Sequence, residues 1–493
     1  MTRSDIKSIC TLRSIQEQKQ DSLPCRIDFI RNLMKNQNIE PLIDVSNDSD
    51  DESFDSNDTR HKLKKRTVDF EYTIQNIGGQ LKYIKSGTTG HTFHGICGDE
   101  DNPDYDYGVK VVAYRRREKY GDIHDITRPE NAEINMIKLL SGLVTSGQTP
   151  HIVLPICTFD TSIDNFVNLI DDKYISDSNE KYTNFVENYK TGEWHSNVSV
   201  LISEWANKGD FLDYTRKNYK SYSPLVWKVF FFQIISALAI IQYQYPSFRH
   251  NDLKANNVLI HKVRKKKKKS NVSYTVVRRK YVVPNIGYRL KLWDFDFACI
   301  PGIVDNKKVN TKWTKGINVT PESNRYYDLH YLFNTFIKKA FFPEFMTSGY
   351  IPKEAKEFVD RVVPAKYRSG KFVHKRGRII INLEHTTPNE LLKNDPYFEE
   401  FRIESTSVQS HHKNQKSKSR SKSRSKSKSR SNSKSRSNKN STQSKTKSNK
   451  TKSSYDNRMD EESYKNIRGL VGPSADRTRS DFRHKNIRVK KHK

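Results

Sequence analysis

The order of hydrophobic patterns between residues 69 and 402 restricts the folds open to this chain. Short runs typical of β-strands come first, and longer runs with helical periodicity follow, such as PLVWKVFFFQIISALAIIQYQ. This order predicts an α+β architecture, with a small β-rich lobe over about 69–206 and a larger α-helical lobe over about 207–402. A basic insertion at 262–283 predicts a long hairpin, and the polar stretch around 171–193 predicts a surface loop.

Both ends of the chain differ from this central region in composition. Residues 1–68 contain DVSNDSDDESFDSND, with seven acids, whereas residues 403–493 contain a Ser-Arg and Ser-Lys repeat. Between Lys413 and Lys452 there are 16 Lys or Arg residues and no acid, which is roughly half of the formal net charge of +31. Such segments bury too little apolar surface to offset the entropy of ordering. We therefore predict a largely disordered N-terminal arm and a disordered basic tail.

Cysteine usage and hydropathy bear on where the protein resides. The five cysteines include no C-x-x-C pair, which argues against a disulfide framework and against a zinc site. The most apolar run, Val229 to Ile241, is shorter than the roughly 18 residues needed to span a bilayer, so it predicts a buried helix. The N-terminus has no signal-peptide pattern. These features predict a protein of the cytoplasm or nucleus that is neither secreted nor transmembrane.

The stretch FRHNDLKANNVLI, at 248–260, concentrates polar side chains beside apolar runs. Asp252 could accept the proton of an attacking hydroxyl, Lys254 could steady a transferring phosphoryl group, and the Asn257 amide oxygen could bind Mg2+. The segment has the form H-x-D-L-K-x-x-N and resembles the catalytic loop of eukaryotic-type protein kinases. Taken alone, it would also suit a capping and turn cluster without chemistry.

Other motifs of that family follow in the same order along the chain. IKSGTTGHTF resembles the glycine-rich loop, YGVKVV the strand with the nucleotide-binding lysine, PENAEINMIKLL the regulatory helix, SEWA the hinge and LWDFDFA the D-F-G motif. In the regulatory helix Glu133 fits the lysine's partner best, and Glu130 is the alternative. The resemblance implies ATP and Mg2+ (or Mn2+) as cofactors, catalytic residues Asp252 and Lys254, nucleotide-binding residues Ile84, Gly87, Gly90, Lys110, Glu133, Glu204 and Ala206, and metal ligands Asn257 and Asp294.

The resemblance spans about 75–402 and includes YYDLHYLF, where Asp328 would bind the catalytic-loop backbone, and TTPNELLKNDPYF, which resembles a last kinase helix. It implies a bilobal fold.

The sequence also departs from the family pattern. Lys85 replaces the first glycine of the loop, and Asn251 replaces the arginine of H-R-D, which makes control by activation-loop phosphorylation unexpected. Asp296 replaces the glycine of D-F-G and adds a second carboxylate near the metal ligand, while the segment up to Glu322 is unusually short.

In these features the sequence resembles the divergent serine/threonine protein kinases of giant nucleocytoplasmic large DNA viruses. Lys254 is typical of the Ser/Thr type, so the resemblance implies transfer of the ATP γ-phosphate to Ser or Thr hydroxyls of protein substrates. Two other functions remain open from the sequence. One is a small-molecule kinase of the aminoglycoside or choline type. The other is a pseudokinase scaffold whose basic tail binds RNA, DNA or acidic partners.

Overall fold

The computed structural model describes residues 22–35, 37–45, 63, 65–78, 80–98, 103–169, 179–263, 270–403 and 486–487. These residues form a β-rich lobe followed by a mainly helical lobe, which confirms the predicted α+β architecture. In the N-terminal part, the helices are α1 (Leu23–Met34), α2 (Phe70–Ile77), α3 (Arg117–Tyr120), α4 (Pro129–Thr145) and α5 (Glu180–Lys190), and the strands are β1 (Gln80–Ser86), β2 (Gly90–Gly98), β3 (Pro103–Arg115), β4 (Pro155–Ser162) and β5 (Trp194–Glu204).

An antiparallel sheet with the order β10-β1-β2-β3-β5-β4 forms the N-terminal lobe, where β10 is the two-residue strand Asn486–Ile487. In β3, Lys110 lies between Val109 and Val111, which are both fully buried. Side chains alternate between the faces of a strand, so the two valines fill one face while Lys110 projects from the other. The alternation of β3 thereby directs a lysine toward α4 and away from the apolar face of the sheet.

The C-terminal lobe is built around α7 (Pro224–Gln244). Its other helices and strands are α6 (Phe211–Asn218), β6 (Val258–Lys262), β7 (Asn271–Val276), β8 (Arg279–Pro284), β9 (Tyr288–Leu292), α8 (Lys312–Lys315), α9 (Tyr327–Thr335), α10 (Glu344–Thr347), α11 (Lys353–Val362) and α12 (Pro388–Asn394). Helix α7 is long and apolar enough to cross a membrane by length and composition, yet most of it is buried inside the lobe. The predicted buried helix is confirmed.

The basic insertion forms the hairpin that its sequence predicts. Strands β7 and β8 pair in antiparallel register, and Val277 and Arg278 occupy the tight turn with positive φ angles of 45° and 67°. Positive φ at both turn positions is the geometry of a type I′ hairpin, which matches the twist of the flanking strands. Tyr274 and Tyr281 pack against Phe232 of α7, so one face of the hairpin belongs to the core. The most basic residues, 264–269, lie outside the described part.

The prediction of a largely disordered arm over 1–68 is wrong for residues 22–45. Ser22 caps α1 by accepting a hydrogen bond from the backbone of Cys25, and a proline stands in the first turn. Ile30 and Met34 are buried against the core, and Pro41 forms a bridge to Cys157 of β4. Packing against the sheet supplies the apolar burial that this short segment cannot provide by itself. Residues 1–21 and most of the acidic stretch are outside the described residues.

The polar stretch around 171–193, predicted to be a surface loop, instead contains α5. Most of its residues are polar, but Tyr182 and Phe185 are buried and lie against His91 of β2, with ring centroids 5.3 and 4.4 Å apart. Two aromatic side chains three positions apart lie on one face of a helix, and the burial of these two rings stabilises the helix in this insertion. The disordered tail remains a prediction, because apart from β10 residues 404–493 lie outside the described part of the chain.

Candidate active site

The polar stretch at 248–260 forms a loop between α7 and β6, and its backbone is fixed by α9. The Asp328 carboxylate accepts hydrogen bonds from the backbone N–H groups of His250 (2.8 Å) and Asn251 (3.0 Å), so the predicted contact of Asp328 is confirmed. Asn251 adopts a left-handed conformation with φ of 63°, which asparagine tolerates better than most residues. The loop is therefore held on a rigid helix just before Asp252.

Asp252 lies at the centre of a group of hydrogen-bond donors. Its Oδ2 accepts from Lys254 Nζ at 2.8 Å and from Asn257 Nδ2 at 3.0 Å, while its Oδ1 accepts from the guanidinium of Arg378. Burial by itself would raise the pKa of Asp252, but Lys254 and Arg378 outweigh this effect and hold the pKa below its usual range. The carboxylate is therefore ionised at neutral pH, which is the state that can accept a proton.

Lys110 joins the two lobes by contacting two carboxylates. Its Nζ lies 2.6 Å from Glu133 on α4 and 2.8 Å from Asp294, which follows β9. Burial would lower the pKa of Lys110, but Asp294 and Glu133 outweigh it and raise that pKa above its usual range. Burial, reinforced by Asp294, raises the pKa of Glu133 to about 7 against the effect of Lys110. The alternative acid, Glu130, instead pairs with Arg128 at 3.2 Å.

The choice between the two acids of α4 can be tested by matched substitutions. For the activity that the kinase resemblance implies, Glu133→Gln is expected to lower phosphoryl transfer by about 100-fold, because loss of the carboxylate would let Lys110 move relative to a bound nucleotide. Glu130→Gln is the control and is expected to retain activity, since Glu130 pairs with Arg128, whereas Lys110 pairs with Glu133 and Asp294. Steady-state rates of both variants, measured below their unfolding temperatures, decide the assignment. A larger loss in Glu130→Gln would contradict it.

Asn257 and Asp294 are neighbours because the strands beside them are paired. Val258 opposes Leu292, and the backbone N–H of Trp293 donates to the carbonyl of Asn257 at 3.1 Å. The Asn257 amide nitrogen is used by Asp252, which leaves its side-chain oxygen for another partner, and the Asp294 side chain is 37% exposed. Carboxylate and amide oxygens are the ligands that Mg2+ prefers. Two such oxygens would supply part of the coordination shell of Mg2+, which commonly takes its other ligands from water and substrate phosphates. Among the described residues there is no group of three His, Cys, Asp or Glu side chains that could hold a metal ion.

The residues after Asp294 explain how the chain accommodates aspartate in place of glycine. Phe295 is fully buried, with its ring 5.1 Å from that of His250. Asp296 is not among the residues with positive φ, so a side chain fits there without strain. Its carboxylate pairs with Lys308, and its carbonyl accepts from the side chain of Asn306 at 2.9 Å. The second carboxylate expected near the metal ligand is therefore neutralised by a lysine of the following segment.

The glycine-rich loop connects β1 and β2. The backbone N–H of Gly87 donates to the carbonyl of Gly90 at 2.7 Å and closes the turn. A Cβ on Gly90 would stand 1.8 Å from the carbonyl oxygen of Val111, so only glycine fits at that position. Ile84, at the end of β1, is 38% exposed. A turn of this kind can bring backbone amides close to phosphate groups.

The hinge after β5 is held by side chains that sequence reasoning did not assign. The Glu204 carboxylate accepts two hydrogen bonds from Arg26 of α1, at 2.7 and 2.9 Å, and lies 2.6 Å from Lys291 of β9. It also accepts from the backbone N–H of Leu154 at 2.8 Å. Ala206, two residues further on, is buried. The side chain of Glu204 is occupied in this way and its backbone N–H donates to the carbonyl of Leu154 at 3.0 Å, so its backbone carbonyl is the group that could still accept a hydrogen bond from a nucleotide.

The short segment before Glu322 is anchored by Arg249, whose importance the sequence did not reveal. Its guanidinium donates to the Thr320 hydroxyl at 3.0 Å and to the carbonyls of Glu322 (2.9 Å) and Asn318 (2.6 Å), and it stacks 4.0 Å from the ring of Tyr327. The position of Arg249, one residue before the histidine of the loop, is the signal that could have pointed to it.

These contacts bring Lys110, Glu133, Asp252, Asn257 and Asp294 together between a β-rich and a helical lobe, the arrangement of a bilobal protein kinase. Comparisons with known proteins agree. Residues 156–376 match the family model of the poxvirus serine/threonine protein kinases. The chain is 44% identical over 384 residues to "Putative serine/threonine-protein kinase R400" of Acanthamoeba polyphaga mimivirus, covering 76% of this chain and 80% of that protein. The chain belongs to this family of viral serine/threonine protein kinases.

A second mimivirus relative shows a more distant similarity. The chain is 24% identical over 272 residues to "Uncharacterized protein R402", which covers 54% of this chain and 29% of that protein. The expectation of a viral serine/threonine kinase is thus confirmed at the level of the family, by the first relative and by the family model.

Proposed function

We propose that the protein transfers the γ-phosphate of ATP to Ser or Thr hydroxyls of protein substrates. The observation that carries the proposal is the arrangement around Asp252, an ionised carboxylate with Lys254 at 2.8 Å and Asn257 at 3.0 Å. A carboxylate in this setting can orient an acceptor hydroxyl and take its proton. Family membership gives independent support for kinase activity.

In the proposed reaction, the acceptor oxygen attacks the γ-phosphorus, the bond from that phosphorus to the β–γ bridging oxygen breaks, and ADP leaves. Asp252 takes the hydroxyl proton, and Lys254 lies where it can neutralise charge on the transferring group. Lys110, positioned by Glu133, would contact the α- and β-phosphates. Asn257 and Asp294 would hold Mg2+ or Mn2+, which neutralises phosphate charge. The backbones of Glu204 and Ala206 would contact adenine, and Ile84, Gly87 and Gly90 would cover the nucleotide.

Radiolabelled ATP provides the direct test. The full chain is incubated with Mg2+ or Mn2+ and a mixture of proteins, including its own C-terminal tail as a peptide, and the products are hydrolysed for phosphoamino-acid analysis. Label is expected on Ser or Thr, and it should disappear with a chelator and in Lys110→Met, which loses both carboxylate contacts of that lysine. Label that persists in Lys110→Met, or that appears only on small-molecule acceptors, would overturn the proposal.

A further inference from the structure

The segment between α11 and α12 brings an arginine to the candidate catalytic carboxylate. A bridge joins Val373 to Ile379, and the backbone N–H of His374 donates to the carbonyl of Arg378 at 2.8 Å. The side chain of Asn334, on α9, donates to the carbonyl of Gly377 at 2.8 Å. The chain therefore makes a closed turn fixed to the same helix that carries Asp328.

The side chain of Arg378 is directed inward from this turn. Only 8% of it is exposed, its guanidinium donates to Oδ1 of Asp252, and it stacks 4.2 Å from the ring of Tyr331 on α9. The two paired residues are 126 positions apart in the sequence. The stacked ring and the closed turn leave the guanidinium little freedom, so it contacts Asp252 as a fixed group and not as a mobile latch.

The ion pair between Arg378 and Asp252 is not expected to add much to the stability of the fold. The Nε of Arg378 is buried and has no hydrogen-bond partner among the described residues. Buried ion pairs are weak contributors to stability, and a buried donor without a partner costs free energy. An unsatisfied buried group beside a reactive side chain therefore calls for a functional explanation.

The distribution of hydrogen-bond donors over the two oxygens of the Asp252 carboxylate indicates what that function is. Each carboxylate oxygen has about two lone-pair positions. Oδ2 of Asp252 uses both of its positions for Lys254 and Asn257, whereas Oδ1 uses one for Arg378. One lone pair of Oδ1 thus remains for an acceptor hydroxyl, and the plane of the carboxylate is fixed from both ends.

We propose that Arg378 is a positioning residue of the phosphoryl-transfer site, which holds the Asp252 carboxylate so that Oδ1 receives the acceptor hydroxyl. This inference rests on the proposed function. The guanidinium would act through Asp252 on the acceptor hydroxyl, whereas Lys110, which would contact the nucleotide, pairs with Glu133 and Asp294. Its removal should therefore affect the transfer step far more than ATP binding.

The test compares Arg378→Ala, Arg378→Lys and the control Arg368→Ala in the full chain. Arg368 lies in the same segment and also pairs with an aspartate, Asp360, but away from Asp252. Arg378→Ala is expected to lower kcat for transfer by about 100-fold, the order expected when a reacting group is misplaced, with KM for ATP nearly unchanged. Arg378→Lys keeps the charge but not the planar fork and should recover part of the rate. Added guanidinium ion at millimolar concentration should partly restore Arg378→Ala.

Any of the following results would contradict the inference. If Arg378→Ala keeps the wild-type kcat, or exceeds it, the arginine does not position the base. If KM for ATP and the unfolding temperature change in parallel with kcat and neither lysine nor guanidinium restores activity, the role is structural only. A wild type that transfers nothing removes the proposed function and the inference together. Normal transfer by both wild type and Arg378→Ala removes only the inference.

Discussion

Asp252→Asn is expected to lower kcat by roughly 10²- to 10⁴-fold, the range typical of a positioned general base. The amide oxygen can still accept hydrogen bonds, but the amide nitrogen is a donor that cannot take a proton from a hydroxyl and would face a donor of Lys254 or Arg378. ATP binding should persist, because Lys110 and Glu133 are unaltered. Single-turnover transfer and nucleotide affinity, measured on the same preparation, separate the two effects.

A matched control for this substitution is Asp360→Asn. Asp360 also pairs with an arginine, Arg368, but it lies on the lobe surface with a side chain that is 42% exposed. The Asp360→Asn variant should retain the wild-type rate of phosphoryl transfer. Comparable rates for Asp252→Asn and the wild type would mean that another group receives the proton, and the assignment of Asp252 would be abandoned.

Glu204→Gln is expected to lower the free energy of unfolding by about 3–5 kcal/mol, because it removes the negative charge that pairs with two largely buried cations, Arg26 and Lys291. Burial, reinforced by Arg26, lowers the pKa of Lys291 to about 7 against the opposing effect of Glu204. Without the carboxylate, Lys291 can release its proton, whereas the guanidinium of Arg26 stays charged. The loss of stability should therefore arise mainly at the contact between Arg26 of α1 and the hinge.

Urea denaturation of Glu204→Gln and of Glu384→Gln provides the measurement. Glu384 makes a comparable two-point contact with Arg325, but both side chains are at least one-third exposed, and such surface pairs contribute about 1 kcal/mol or less. Equal losses in the two variants would show that the buried group at the hinge adds nothing beyond an ordinary surface pair.

Much of the candidate site could be predicted because its parts are local in sequence. Asp252, Lys254 and Asn257 lie within six positions on one loop, so their relative placement follows from the conformation of that loop. Glu133 could be preferred over Glu130 from helical spacing, and the structure places it against Lys110. The two-lobed architecture followed from the change between strand and helix periodicity, which reports burial on each element directly.

Other features could not be predicted because they depend on contacts between distant segments. The sequence predicts a disordered arm where α1 forms, because a helix this short is stable only when it packs against the sheet and when Arg26 pairs with Glu204, 178 positions away. The polar insertion with α5 was interpreted as a loop for the same reason. No local sequence pattern distinguishes Arg26 or Arg378 from a solvated arginine, and Arg249 is marked only by its place one residue before the histidine of the loop.

The sequence by itself thus determined the class of fold, the loop that carries the reactive groups and the order of the nucleotide-binding motifs, because hydrophobic period and short spacing are properties of neighbouring residues. The tertiary structure alone decided which cation meets each carboxylate: Arg26 at the largely buried Glu204, Lys308 at the partly exposed Asp296 and Arg378 at the buried Asp252. The physical reason is that a buried charge must find an opposite charge in space, and the folded chain can supply it from any position in the sequence.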